Sequence, residues 1–266
     1  MRVSATLMIG LLAAAAGCGH PSAQPSSTTS QPPPSPAAAV SATPVPPHPM
    51  IGAVFLGAGD LHTCTGAVLD STTGDLVLTA AHCVADGVDT TFVAGFEDAA
   101  DPADVWKVEA VYLDPRWVSE HDPQADFAVL RVARDRGGSV EAEAGGGLAL
   151  GTAPKPGTVV TVTGYGLGVG GGPIGCQAAT EVAPGGFPSF ACNGLVDGTS
   201  GSPWIGAASG PGGSTIIGLT GGLDGGGCDE SVSYSPPFDD RVAALLTRAQ
   251  AGGPPDPAPA VFDDGC

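Results

Sequence analysis

Three residues of this chain are of the types that nucleophilic attack on an acyl bond requires. His82 follows an apolar run in VLTAAHCV, Asp126 opens another in QADFAVL, and Ser200 lies in the glycine-rich segment DGTSGSPW. A serine becomes a nucleophile when a base takes its proton, and a carboxylate orients that base and stabilises its charged form. Asp122 is the competing acid, but it lies in the polar sequence HDPQ. The sequence therefore predicts acyl-transfer chemistry at His82, Asp126 and Ser200.

Short strands must hold these residues in place. Runs rich in Val, Ile, Thr and aromatic residues alternate with Gly, Pro and Asp clusters, which is typical of strands and turns. These runs are IGAVFL, CTGAVL, DLVLT, TTFVA, VWKVEAVYL, FAVLRV, TVVTVTG and TIIGLT. Little helical periodicity lies between them, so we expect a Greek-key barrel or sandwich rather than a parallel sheet with crossover helices. One helix is predicted, from Asp239 to Ala251, where apolar residues recur at helical spacing.

The composition agrees with an all-β fold and excludes some functions. The chain has 266 residues, including 42 Gly and 26 Pro, and only 14% are charged. A net charge of −18 with nine Lys and Arg residues disfavours nucleic-acid binding, which needs clustered cations. The sequence contains no CxxC or HExxH motif, so we expect no metal and no organic cofactor.

The first residues predict export. An apolar run from Leu7 to Ala16 follows a single Arg and is too short to span a bilayer, as in a secretory signal peptide. Ala15-Ala16-Gly17-Cys18 resembles the lipobox of bacterial lipoproteins, which predicts a lipid on Cys18 and a position on the outer face of the cell membrane. Setting Cys18 aside leaves six of seven cysteines, an even number that can pair in an oxidising compartment. The alternative is plain secretion.

The domain organisation follows from these features. Residues 1–17 are predicted to be the signal peptide and residues 18–49 a lipid-anchored tether. From residue 19 to 49 the chain has ten Pro and no charged side chain, so we expect an extended or disordered spacer. Residues 50–250 form the predicted catalytic domain, and residues 251–266 form an irregular tail that ends in Cys266.

Taken together, TAAHC, DFAVL and TSGSP resemble the trypsin-like (chymotrypsin-fold) serine peptidases, in the bacterial branch near the V8-like glutamyl endopeptidases. The resemblance covers roughly residues 50 to 250, and the order of His, Asp and Ser is that of the family. It implies a double Greek-key β-barrel with a C-terminal helix. It also implies that Ser200 attacks, His82 transfers the proton and Asp126 orients the imidazole, while the N–H groups of Gly198 and Ser200 form the oxyanion hole.

The family's substrate pocket corresponds here to Gly194, Asp197, Thr220, Gly221 and Gly222. V8-like peptidases carry His at the place of Thr220, which disfavours a preference for Glu. Trypsin-like enzymes carry an acid at the place of Gly194, which disfavours Lys or Arg. The remaining expectation is a small or apolar substrate side chain.

Thr199 stands where the animal enzymes place the Asp that pairs with a newly cut N-terminus. We therefore expect activity without cleavage near residue 50.

The resemblance also implies disulfides. Cys64 and Cys83 correspond to the family's histidine-loop bridge. For the other four cysteines the first choice is Cys176–Cys192 with Cys228–Cys266, and the second is Cys192–Cys228 with Cys176–Cys266.

The predicted function is an extracytoplasmic serine endopeptidase that forms an acyl-enzyme with a peptide or protein substrate. The alternatives are an inactive peptidase-like module that binds peptides, and an esterase on the same fold.

Overall fold

Two antiparallel β-barrels make up most of the chain. The structure is a computed structural model that describes residues 40–206 and 214–260. Its strands, in chain order, are β1 (Thr43–Pro44), β2 (Ile51–Leu56), β3 (Leu61–Val68), β4 (Leu76–Thr79), β5 (Thr90–Ala94), β6 (Trp106–Leu113), β7 (Ala128–Ala133), β8 (Ala149–Leu150), β9 (Val159–Gly164), β10 (Gly168–Val169), β11 (Ile174–Val182), β12 (Pro188–Ala191), β13 (Pro203–Gly206), β14 (Thr215–Leu219) and β15 (Val232–Tyr234). The helices are α1 (Pro115–Glu120), α2 (Val140–Glu143) and α3 (Asp240–Gln250).

The first barrel is a closed ring of six strands. Strand β2 pairs with β3 and β5, β6 joins β5 to β7, and β4 pairs with both β7 and β3. Closure leaves no exposed edge on this ring. Its interior is filled by Val, Leu and aromatic side chains that the alternation of the strands turns inward, among them Phe92, Leu78 and Leu130.

The second barrel contains β9, β11, β12, β13, β14 and β15. Strand β9 lies between β11 and β13, and β12 joins β11 to β15. The Gly221 N–H donates to the Tyr234 carbonyl at 3.0 Å, so the ends of β14 and β15 meet as well. Phe190 and Trp204 pack edge to face in the core. The predicted all-β double barrel with a C-terminal helix is confirmed.

The C-terminal helix α3 follows the second barrel but packs on the first. Val242, Leu245 and Ala249 lie in the first barrel's core cluster. The Arg248 guanidinium then donates to the Leu113 carbonyl at 2.8 Å and pairs with Asp256 in the tail. Residues 251–260 of the tail are irregular, and the bonds of Asp256 to Leu113 and Val111 hold them against the first barrel.

The predicted boundary of the tether needs correction. The spacer was expected to run to residue 49, but the chain from Val40 already pairs with the second barrel. The Ala42 N–H donates to the Asn193 carbonyl and the Asn193 N–H to the Val40 carbonyl, both at 2.8 Å. Strand β1 then pairs with β11. Extended backbone that lacks core side chains can still add a strand, because its own N–H and C=O groups make the ladder.

The predicted signal peptide, Cys18 and Cys266 lie outside the described residues. No helix in the described part of the chain is long and apolar enough to cross a membrane.

Candidate active site

His82 and Asp126 meet because they lie beyond the ends of two neighbouring strands. Thr79, the last residue of β4, pairs with Ala128, the first residue of β7. His82 follows β4 in the 3₁₀ turn Ala81–Cys83, and Asp126 lies two residues before the start of β7. Antiparallel pairing therefore places both residues at one edge of the first barrel.

Asp126 holds His82 at two points. Its Oδ2 accepts from the imidazole Nδ1 at 2.8 Å, and its Oδ1 accepts from the His82 backbone N–H at 3.0 Å. The Gly222 N–H donates to Oδ2 at 2.7 Å. The carboxylate is 1% exposed. Burial by itself raises the pKa of Asp126, but attraction to His82 and these three hydrogen bonds lower it more, so that its pKa lies below the ordinary value. The acid is held ionised and fixes the imidazole tautomer with hydrogen on Nδ1.

Asp122 serves a different purpose. Its side chain accepts from the Gln124 N–H, which caps the 3₁₀ turn Pro123–Ala125, and it pairs with Arg116 at 3.3 Å. Of the two candidate acids, the structure brings Asp126 to His82.

Ser200 lies on a turn that packs against the first barrel. The Ser200 carbonyl accepts from the Thr65 N–H in β3 at 2.8 Å. Gly201 has φ +83°, and a Cβ there would collide with Thr65 and Thr79. Only glycine permits this close approach. Ser200 therefore lies beside the strand end that leads to His82. Its hydroxyl is 3.4 Å from the Gly225 carbonyl oxygen, a long contact for an O–H donor.

The turn that contains Ser200 has two backbone N–H groups with no acceptor in the part of the chain that the structure describes. Gly198 has φ +88°, and a Cβ there would collide with the Leu167 backbone. The Leu167 N–H donates to the Asp197 carbonyl, so the Gly198 N–H in that same peptide plane points the opposite way. Neither the Gly198 N–H nor the Ser200 N–H has an acceptor within residues 40–206 and 214–260. Two such donors could stabilise a negatively charged oxygen.

A cavity of about 190 Å³ opens beside Ser200. Of the predicted pocket residues, Asp197 and Thr220 line it, whereas Gly194, Gly221 and Gly222 do not. Gly221 packs against the Asp126 carboxylate, which accepts from the Gly222 N–H. The Gly194 N–H donates to the Glu230 carbonyl, which ties together two segments of the cavity wall.

Sequence reasoning missed most of this wall. Asp224, Gly225, Glu230 and Ser233 line the cavity, and they lie in a glycine-rich segment and a three-residue strand that carry no motif. The cavity is more polar than the small or apolar pocket expected. Thr220 accepts from the Trp204 indole N–H, and the lining contains three carboxylates. Within the described residues, no Lys, Arg or His lines it.

Thr199 is buried, and its hydroxyl donates to the Val196 carbonyl at 2.8 Å. This position therefore offers no carboxylate to a new N-terminus.

Disulfides fix both sides of the site. The structure contains Cys64–Cys83, which ties the His82 turn to β3, and Cys176–Cys192, which ties the cavity wall to β11. The second-choice pairing Cys192–Cys228 is not formed. Cys228 is itself disulfide-bonded, with its partner outside the described residues. Several disulfides indicate an oxidising, extracellular compartment.

The family model of Trypsin matches residues 40–182. The chain belongs to the trypsin family. The matched segment contains His82 and Asp126 and ends before Ser200. The assignment of Ser200 therefore depends on the geometry of its turn and not on this match.

Solved structures share this trypsin fold. The protease Anisep from Arthrobacter nicotinovorans is 22% identical with a TM-score of 0.66, covering 78% of this chain and 98% of its own. A Glu endopeptidase is 16% identical with a TM-score of 0.62, covering 80% and 98%. Human heparin binding protein is 17% identical with a TM-score of 0.58, covering 83% and 100%. No curated protein sequence matches the chain.

Proposed function

We propose that the chain is a serine endopeptidase in which His82, Asp126 and Ser200 are the catalytic residues. The observation that carries this proposal is the buried Asp126 carboxylate, bonded to both the ring and the backbone of His82 at the edge against which the Ser200 turn packs. The motif TSGSP around Ser200 supports a place in the bacterial branch near the V8-like peptidases.

The reaction would proceed through an acyl-enzyme. Ser200 Oγ attacks the scissile carbonyl carbon while His82 Nε2 takes its proton, and the oxygen of the tetrahedral intermediate gains negative charge. The Gly198 and Ser200 N–H groups donate to that oxygen. His82 then gives the proton to the leaving amine as the C–N bond breaks. A water molecule, deprotonated by His82, attacks the acyl carbon; the bond to Ser200 Oγ breaks, and His82 returns the proton to Oγ. Asp126 stays ionised throughout and stabilises the imidazolium.

A fluorophosphonate probe tests this proposal. We expect covalent labelling of the wild-type protein, no labelling of Ser200→Ala, and normal labelling of Ser119→Ala, which removes an exposed hydroxyl elsewhere. Absence of Ser200-dependent labelling in folded protein would contradict an enzyme and favour the peptide-binding module. Cleavage of peptides rather than simple esters then separates an endopeptidase from an esterase.

We also propose that the cavity takes a cationic side chain, Lys or Arg, of the residue before the scissile bond. The carboxylates of Asp197 and Glu230 give the wall negative charge. Ser233 is a buried residue that lines the same wall. A hydroxyl and carboxylates together accept hydrogen bonds from an ammonium or guanidinium group.

Peptides that differ only at this residue test the preference. We expect kcat/KM to be higher for Lys and Arg than for Glu or norleucine. Asp197→Asn should reduce the ratio of kcat/KM for Lys to kcat/KM for norleucine about tenfold, because a charge interaction of about 1.4 kcal/mol is lost. Asp229→Asn, outside the cavity lining, is the control. Equal rates for Lys and norleucine would refute the preference without affecting the triad.

We propose further that Cys18 carries a lipid and holds the enzyme on the outer face of the bacterial cell membrane. The lipobox-like sequence before Cys18 supports this anchor. The full chain should partition into the detergent phase of Triton X-114, and Cys18→Ala should move it to the aqueous phase. Aqueous partition of the wild type would favour plain secretion.

A further inference from the structure

The strand residue Thr65 makes four hydrogen bonds around the Ser200 turn. It lies beside Cys64 in β3, and its relative exposure is 0%. Its N–H donates to the Ser200 carbonyl at 2.8 Å, and its carbonyl accepts from the Thr79 hydroxyl at 2.7 Å. These two bonds belong to the backbone and would form with any residue at this position.

The side chain makes the other two bonds. Thr65 Oγ1 accepts from the Tyr165 N–H at 2.9 Å and donates to the Gly198 carbonyl at 3.2 Å. A hydroxyl has one hydrogen, so the bond from Tyr165 leaves that hydrogen for Gly198. All these atoms are buried, and water does not replace a lost partner without cost.

Thr65 Oγ1 is one of two groups that restrain the peptide after Gly198. The peptide before Gly198 is held by the Leu167 N–H on the Asp197 carbonyl. The peptide after it is held at both ends, by the Thr65 hydroxyl on the Gly198 carbonyl and by the Thr199 N–H on the Val196 carbonyl at 3.1 Å. A glycine at positive φ has several accessible values of ψ, so loss of the Thr65 bond would leave the Thr199 N–H to hold this peptide and would widen the range of ψ at Gly198. The two N–H groups proposed to stabilise the oxyanion lie in this segment.

We propose that the Thr65 hydroxyl is a positioning residue for the oxyanion hole, acting through the Gly198 carbonyl. This inference rests on the proposed peptidase function. Thr65 touches neither substrate nor nucleophile side chain; it holds the Gly198 and Ser200 N–H groups where the charge of the tetrahedral intermediate develops. Removal of the hydroxyl should therefore affect the transition state more than substrate binding.

Two substitutions separate the hydroxyl from packing. Thr65→Val keeps the shape and both backbone bonds but loses the two side-chain bonds, whereas Thr65→Ser keeps the hydroxyl. For Thr65→Val we expect kcat per active site, counted by fluorophosphonate titration, to fall about 10- to 100-fold with KM nearly unchanged. Thr65→Ser should stay within a few-fold of wild type. The second-order rate of fluorophosphonate labelling should fall in parallel, because the phosphonyl oxygen uses the same donors.

Three results would overturn the proposal: wild-type kcat in folded Thr65→Val, an equal loss in Thr65→Ser, or a change confined to KM. If Thr65→Val does not fold, Thr65→Ala removes the hydroxyl without filling its place, and the same readouts apply. Failure of the peptidase function itself is distinguishable, since then the wild-type protein would show no Ser200-dependent labelling.

Discussion

The Asp126 carboxylate is buried and accepts three hydrogen bonds, and with them it performs two tasks. It orients the imidazole through Oδ2 and anchors the His82 backbone through Oδ1. Asp126→Asn keeps the shape but favours the wrong imidazole tautomer, so we expect kcat to fall about 10⁴-fold with little change in KM. Initial rates on a peptide substrate measure this. Asp122→Asn is the matched control, and a larger loss there would mean that the acid is misassigned.

The acid limb of the pH profile should reflect one group. Protonation of an imidazole, whose ordinary pKa is about 6.5, removes the base, so kcat/KM should fall with a slope of one as the pH decreases. The pKa of Asp126 is lowered from its ordinary value of about 3.9, so it should add no second proton above pH 4. Its ionised form stabilises the fold above that range, and this contribution is lost as pH falls through the folded pKa. Initial rates between pH 4 and 9 test this, and a slope of two would contradict it.

At the scale of elements, the segment before the first barrel supports the cavity. The Asn193 carbonyl accepts from the Ala42 N–H, and the Asn193 N–H donates to the Val40 carbonyl. Asn193 lies two residues before Leu195, which lines the cavity. Ala42→Pro removes the N–H that donates to Asn193. We expect it to cost about 1 kcal/mol, to lower Tm by roughly 2–4 °C and to raise KM. Val40→Ala keeps both backbone bonds and is the control in melting and rate measurements; an unchanged Ala42→Pro would show that the segment does not support the cavity.

The strands of the first barrel were easier to predict than those of the second. Runs such as IGAVFL and TTFVA are apolar and β-branched, and the structure places strands there within a residue or two. Strand β11, with the sequence IGCQAATEV, and β12, with PSFA, contain Gly, Ala, Pro and Ser, whose intrinsic strand preference is weak. These two segments become strands because they pair with neighbouring strands, and a local sequence pattern does not encode that pairing.

The same distinction applies to the site. Three motifs, TAAHC, DFAVL and TSGSP, each combine a reactive side chain with its own local turn. The sequence could therefore identify residues that the structure places at one edge of the first barrel and in the turn that packs against it. No sequence motif marks the residues of the cavity wall or Thr65. Thr65 acts on Gly198 across a gap of 133 positions, and a threonine inside a strand is ordinary in any β protein.

At the scale of the whole molecule, the two ends of the described chain cross between the barrels. The N-terminal segment adds β1 to the second barrel before the chain enters the first, and α3 leaves the second barrel to pack on the first. Neither barrel can unfold without releasing a segment of the other. We therefore expect one cooperative transition, in which circular dichroism and fluorophosphonate labelling are lost at the same urea concentration.

Arg248 tests this coupling. Its guanidinium joins α3 to the Leu113 carbonyl and to Asp256 in the tail. Arg248→Ala should lower the free energy of unfolding by about 1–2 kcal/mol and shift both signals together. Arg241→Ala, which removes an exposed arginine from the same helix, is the control. A separation of the two signals would show that the barrels unfold independently.

The distances along the chain between bonded residues also set the order in which activity can appear. Thr65 must meet Gly198, and Asp126 must meet Gly222, across 133 and 96 positions. Contacts so far apart form late in folding, because the chain must first close long loops. A nascent chain that has emerged only as far as β7 contains a histidine and an aspartate but no nucleophile. We therefore expect the proposed peptidase to gain activity only once the second barrel has folded, without a cut in the chain.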